Sequence, residues 1–394
     1  MLRRIAAPFL VAVIAAVLAP VGASAEPPAV QVQLLGINDF HGHLEPNTPG
    51  TIRETATSAP VPAGGLEYLA THVRAMEAQA EHSMVVSAGD LIGASPLLSA
   101  LFHDEPTIEG MNLLGLDLNA VGNHEFDEGA AELLRMQEGG CHPVDGCQDG
   151  DGFAGADFGF LAANVVWEDT GETLFPAYAI RKFDGIKIGF IGMTLEGTPD
   201  IVSQSGIQGL EFLDEADTAN RYAEELRREH GVRAIVVLLH EGGVQASPFG
   251  IDTCNGISGP IVDIVERTTD AVDLFVTGHT HQPYRCVIDG RPVTSASSFG
   301  RLVTDIDLTL DRQSKDVVSV AADNKVITQD VARAPDITAL IGEYNTLAAP
   351  LRDRVIGRIS ADITRATDDS GENAAGNLIA DAQHAGSTTA GAVA

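Results

Sequence analysis

The chain has 394 residues, 44% of them hydrophobic, with 24 Lys and Arg against 55 Asp and Glu and a formal net charge of −31. That length allows one large domain and part of a second, and a composition with 41 Gly and 19 Pro fits a folded, loop-rich protein. So acidic a surface repels nucleic-acid polymers, and no basic stripe offsets it. A small anionic substrate would need a local reversal of sign, such as bound divalent cations provide.

Arg3 and Arg4, the apolar run from Ile5 to Leu18 and the small residues Ala23-Ser24-Ala25 follow the order of a secretory signal peptide, with cleavage expected after Ala25. The apolar core is shorter than the roughly 20 residues of a membrane span, and no other segment is long and apolar enough. The expected location is therefore outside the cytoplasm, secreted or in the cell envelope, with no stable membrane span. Residues 1–25 carry two arginines and no acids, so their removal leaves 22 basic against 55 acidic residues, or −33.

Val30–Ile37 reads as a buried strand. Helical spacing runs from Leu66 to about Ala80, strand character returns over Ser83–Ser87, and Thr107–Leu114 predicts a helix before the short strand Leu118–Val121. Glu128–Gln137 predicts the next helix. Residues 139–157 form an acidic, Gly-rich insertion without the spacing of an EF-hand. Strands are expected at Phe160–Val165, Tyr178–Phe183 and Ile186–Gly192. Two helix-then-strand units follow, Thr218–His230 with Ala234–Leu239 and Pro260–Arg267 with Leu274–Thr277. Pro292–Ala296 and Leu302–Leu310 read as late antiparallel strands. Alternating helices and strands with late hairpins predict an α/β protein with mixed sheets. A long helix is expected from Ala334 to about Arg354, and another helical stretch over Asn373–Gln383.

Four cysteines in an exported chain suggest two disulfides. Of the three connectivities, Cys141–Cys147 closing a short loop and Cys254–Cys286 tying two site-bearing segments is the expected one.

Five polar clusters stand where apolar runs end: Asp39-Phe40-His41, Gly89-Asp90, Gly122-Asn123-His124-Glu125-Phe126-Asp127, Leu239-His240 and Gly278-His279-Thr280-His281. Their carboxylates, carboxamide and imidazoles are a donor set for borderline transition metals rather than calcium. Residues two apart on a strand share a face, so Asp39 with His41, and His279 with His281, are expected to grip ions together. Asp127 is close enough to hold the His124 imidazole in one tautomer. Glu125 also suits a helix N-terminus, on the positive end of the dipole. His43, His72, His82, His103, His142, His230 and His384 lack strand-end partners and are expected on the solvated surface.

The order D-x-H, G-D, G-N-H-E-F-D, H and G-H-T-H resembles the calcineurin-like metallophosphoesterases. Ile37–Gly42 and Gly122–Asp127 resemble their secreted bacterial 5′-nucleotidase branch, and the likeness runs from about Val30 to Leu310. The resemblance implies a four-layer α-β-β-α sandwich and two divalent metal ions of the Zn, Mn, Co or Fe class. It implies Asp39, His41 and His281 on one ion, Asn123, His240 and His279 on the other, Asp90 bridging, and His124 with Asp127 as the catalytic pair. The implied reaction is hydrolysis of nucleoside monophosphates by a hydroxide held between the metals. UDP-sugars and 2′,3′-cyclic nucleotides are alternatives, as is an idle metal-binding fragment. Two divalent cations against the carboxylates of Asp39 and Asp90 and one hydroxide leave about +1 to attract phosphate. The implied organisation is a signal peptide over 1–25, a catalytic domain over 26–333, a linker helix over 334–354 and the opening of a second domain over 355–394. Gly376–Ala382 resembles the start of that second domain, whose remainder would read the nucleobase.

Overall fold

The computed structural model describes residues 29–46, 50–150 and 152–389. The expected signal peptide lies outside the described residues. One compact unit runs to Thr338 and a second covers Ala339 onward.

The first unit is built on two six-stranded mixed sheets. In chain order its strands are β1 (Val30–Ile37), β2 (Ser83–Ser87), β3 (Leu116–Ala120), β4 (Gly159–Leu161), β5 (Tyr178–Phe183) and β6 (Ile186–Thr194), followed by β7 (Ala234–His240), β8 (Leu274–Thr277), β9 (Pro283–Ile288), β10 (Arg291–Ala296), β11 (Leu302–Leu310) and β12 (Val317–Val326). The first sheet has the order β12-β11-β1-β2-β3-β4 and the second β9-β10-β8-β7-β6-β5. Within them β1 to β4 run parallel, as do β6, β7, β8 and β10; antiparallel strands close both edges of the second sheet and one edge of the first, whose other edge is the parallel β4.

Side-chain alternation decides how the layers stack. Along β7, Val236 and Leu238 pack with Phe190 of β6 against Leu34 and Val86 of the other sheet. The intervening Ile235, Val237 and Leu239 pack with residues of the helices Glu215–His230 and Pro260–Arg267. A strand covered on both faces reads as a continuous apolar run, which is why β7 was plain in the sequence. Each such side chain contributes roughly 1.5–3 kcal/mol by leaving water.

Two strand expectations change, and one further strand was not expected. Phe160–Val165 is not one strand: after Leu161 the chain leaves the first sheet, and Val165–Trp167 pairs antiparallel with Leu210–Phe212 in a separate ribbon. Asn164, fully buried, makes the break by bonding the main chain of Thr194 and Leu213. Secondly, β10 and β11 are not partners; they belong to different sheets. The unexpected one is β12, an edge strand with only two of its ten side chains buried, so it carries no apolar run to announce it. The helix expected from Thr218 begins at Glu215, because Asp214 caps it by accepting the Asp217 N–H at 2.8 Å. Both expected disulfides, Cys141–Cys147 and Cys254–Cys286, are present. In the second unit helical structure includes Ala374–Thr389.

Candidate metal centre

The five clusters all lie at the C-terminal ends of parallel strands: Asp39 and His41 after β1, Asp90 after β2, Asn123 after β3, His240 ending β7, and His279 and His281 after β8. Face-to-face packing of the sheets therefore brings all five to one edge.

Apart from His240, which ends β7 within the sheet, the donors are not aimed by strand alternation. Beyond Ile37 and Thr277 the backbone has left the sheet, and Asp39, His41, Asp90, His279 and His281 all have φ between 48° and 69°. Non-glycine residues in this left-handed region cost free energy, about 1 kcal/mol or more each, and cluster where function over-determines the backbone. Here the compensation is visible. Asp39 N–H bonds Gly89 O at 2.9 Å, His41 N–H bonds Asp90 O at 3.0 Å, and Phe299 N–H bonds Asp39 O at 2.7 Å. The loops hold one another in place.

Two glycines make that approach feasible. A Cβ at Gly89 would meet the His240 ring at 2.6 Å, and one at Gly122 would fall on the Asp90 carboxylate.

The seven expected ligand residues converge. Asp39, His41 and His281 offer donor atoms within 4.8 Å of one another, as do Asp90, His240 and His279. Asp90 Oδ2 lies between the groups, 3.6 Å from His41 Nε2 and 2.9 Å from His240 Nε2. Asn123 Oδ1 is 3.0 Å from His279 Nδ1. His124, outside this set, has its Nδ1 2.8 Å from Asp127 Oδ2, and its backbone N–H bonds Asp90 Oδ1 at 2.9 Å.

Tautomers show what the pocket lacks in protein atoms alone. His41 Nδ1–H donates to Gly93 O at 2.9 Å and His240 Nδ1–H donates to Ala88 O at 2.7 Å, so in the neutral rings both Nε2 atoms carry lone pairs. His41 Nε2 faces His281 Nε2 at 3.2 Å. His240 Nε2, fully buried, approaches the Asp90 carboxylate without hydrogen-bond alignment. Lone pairs gathered against carboxylates in a dry site need positive charge, and the residues present fit divalent cations.

The electrostatics point the same way. Burial pushes the Asp90 carboxyl up, but the surrounding His240, His41 and His124 imidazoles outweigh it and hold it below its usual range. Burial alone would lower His240; the carboxylates of Asp90, Asp39 and Glu125 raise it to about 10. His279 is lowered to about 4 by burial and by His240. The hydrogen bond that His124 donates to Asp127 raises the imidazole against its partial burial.

Several residues of the site were missed or misread in the sequence. Glu125 is no dipole ornament: fully enclosed, its carboxylate accepts from the N–H groups of Asp90, Leu91 and Gly122 and from the Asn119 amide, at 2.6–3.2 Å. Asn38 donates to Asp39 Oδ2 and Ser297 O, both at 2.6 Å, fixing the first carboxylate. His43 is buried, not solvated, and stacks on Phe299 with centroids 4.0 Å apart. Arg301 lies over the same ring and donates to Ser297 and Ser298, with no carboxylate paired to it among the described residues. It lines, with Arg53 and His281, a cavity of about 410 Å³ beside the centre. His103 and His142 are half-buried in a cluster of their own.

The calcineurin-like phosphoesterase family profile matches residues 32–283. Among curated proteins the chain is 34% identical over 368 residues to the endonuclease YhcR of Bacillus subtilis, covering 91% of this chain and 29% of that protein. It is 29% identical over 278 residues to a 5′-nucleotidase of Vibrio cholerae, covering 68% of this chain and 45% of that one. The chain thus spans less than half the length of either. Among solved structures, the 5′-nucleotidase precursor from Thermus thermophilus superposes with a TM-score of 0.69 at 24% identity, covering 92% of this chain and 68% of that one, a likeness of fold. No helix among the described residues is long and apolar enough to cross a membrane. With two packed mixed sheets, donors gathered at the ends of their parallel strands and a matching profile over most of the first unit, the chain belongs to the calcineurin-like phosphoesterase family of metal-dependent phosphoester hydrolases.

Proposed function

We propose that the chain hydrolyses phosphate esters of nucleotides, and in the first place acts as a 5′-nucleotidase, with Asp39, His41, Asp90, Asn123, His240, His279 and His281 holding two divalent cations of the Zn, Mn, Co or Fe class. The observation that carries this reading is the convergence of the His41, His240 and His281 Nε2 atoms on the Asp39 and Asp90 carboxylates, with the His124–Asp127 pair beside them. Such cations, once bound, supply Lewis acidity and an activated water.

The chain's own residues supply the rest. Asp127 accepts the His124 Nδ1 proton and favours the imidazolium, so His124 Nε2–H is free to donate to the leaving oxygen of a phosphate ester. Asp127 also accepts the Ala94 N–H at 3.1 Å, which fixes the dyad's direction. Asp39 and Asp90 are closed in by backbone donors and admit little water.

A second reading, on phosphodiesters, is favoured by the likeness to a protein named an endonuclease. Export after cleavage at Ala25 remains part of the proposal and accords with the two disulfides. So do the domain assignments 26–333, 334–354 and 355–394.

The test is phosphate release from AMP, UDP-glucose and 2′,3′-cyclic AMP with added manganese or zinc, against His124→Ala. Loss of turnover by at least about 100-fold in the variant supports the assigned role. Turnover of the cyclic substrate alone moves the assignment to the diesterase. Metal uptake with no turnover of any of the three refutes the nucleotide reading.

A further inference from the structure

A second convergence of metal-type donors shares no residue with the centre above. It is assembled from three separate stretches. The turn before the helix Glu105–Leu114 supplies His103, the stretch after His124–Phe126 supplies Glu128 and, within the helix Ala130–Glu138, Glu132, and the loop closed by Cys141–Cys147 supplies His142 and Asp145. His103, Glu128, Glu132 and His142 each present one donor atom, and the four atoms lie within 4.8 Å of one another.

The contacts are close. His103 Nδ1 is 2.8 Å from Glu128 Oε2 and its Nε2 is 2.9 Å from Asp145 Oδ2. The His103 and His142 rings stack with centroids 3.7 Å apart and planes 13° apart. Two rings stacked this closely repel if both are cationic, so protons alone are a poor way to neutralise the carboxylates around them. One divalent ion brings the same charge without that repulsion, and mixed imidazole and carboxylate donors suit manganese or zinc.

A cavity of about 120 Å³ adjoins the cluster and reaches the His124–Asp127 pair. Asp104, Asp127, Glu128 and Glu132 line it, and no Lys or Arg does. Arg135 pairs with Glu105 and Glu132, while Glu128 and Asp145 meet no Lys or Arg among the described residues. The space holds a few waters at about 30 Å³ each, enough to complete an ion's coordination.

We propose that His103, Glu128, Glu132 and His142 form a further divalent-cation site, of the manganese or zinc type, which ties the Cys141–Cys147 loop to the segment bearing His124 and Asp127. The ion is structural there: it fixes Glu128, the neighbour of Asp127, and touches no substrate.

The test is metal content of the full chain, stripped, then dialysed against manganese or zinc and measured by elemental analysis. The His103→Gln/Glu128→Gln chain is expected to hold one equivalent fewer than the unmodified chain. His142→Gln, on a surface loop, should lose the same equivalent and guards against misfolding of the double variant, which circular dichroism also checks. An Asp39→Asn/His41→Gln/Asp90→Asn/His240→Gln chain, altered in both donor groups of the main centre, should keep one equivalent, so failure of the main centre reads differently from failure here. If the His103 and His142 variants hold as much metal as the unmodified chain, the cluster is only an ion-paired imidazole network and the proposal falls.

Discussion

Glu125→Gln tests how the centre is held together. The change keeps shape and removes one acceptor oxygen. Oε1 accepts from Leu91 N–H and the Asn119 amide, at 2.9 and 3.2 Å, and Oε2 from Asp90 N–H and Gly122 N–H, at 2.9 and 2.6 Å. Whichever way the new amide turns, two donors lose their acceptor and meet an NH₂ group. Glu125 is 2% exposed, so water does not replace the lost partner. Hydrogen bonds to a charged group are worth roughly 1.5–3 kcal/mol each, so the gross loss is about 3–6 kcal/mol. Against this stands the cost of the buried charge: burial and the Asp90 carboxylate push Glu125 up to about 7. Relief of that cost offsets part of the loss, leaving roughly 3 kcal/mol, a large share of a typical domain's stability. Urea denaturation at constant m, with elemental analysis of bound metal, measures both consequences. The variant should unfold at lower urea and hold metal less tightly, since Glu125 clips the Asp90 and Asn123 loops together. A loss below about 1 kcal/mol with unchanged metal content would refute the reasoning.

Asp273→Asn should alter the pH dependence of stability. Burial raises the Asp273 carboxyl from its usual value to about 7, against the Ile235 N–H it accepts at 2.8 Å. Between about pH 4 and 7 the unfolded chain has released this proton and the native chain has not, so stability falls as pH rises through that window. The variant's relative advantage should grow by about 2 kcal/mol from pH 5 to pH 7 in denaturant titrations, and a pH-independent difference would contradict the assignment. Asp127→Asn is expected to reduce kcat about 10- to 100-fold with KM little changed, because it removes the acceptor that orients His124; steady-state kinetics decide, and a pure KM effect would count against it. Replacing Cys254 and Cys286 by Ser opens a link across 32 residues of sequence, for which loop-closure entropy gives about 3–4 kcal/mol of stability lost. Thermal unfolding with and without reductant checks it, and reductant should not affect the variant through this link.

The sequence alone determined what depends on local pattern. The runs of β7 and β8, and the last four residues of β1, are covered on both faces, so their hydrophobicity is continuous and their ends, with Asp39, His240 and His279, are marked by the abrupt change to polar residues. Edge strand β12 lacks that contrast and went unread, and the division of Phe160–Val165 was decided by Asn164 bonding partners 30 and 49 residues away. Tertiary structure alone decided the aim of the donors. Alternation along a strand suggested how Asp39 and His41 would share a face, whereas the left-handed backbone after β1, β2 and β8, stabilised by bonds between loops distant in sequence, actually points the donors there. Glu125 and the His103 cluster were illegible for the same reason. A residue's chemistry is written in the chain, but the number of donors or carboxylates that surround it is set only when separate strands and loops pack.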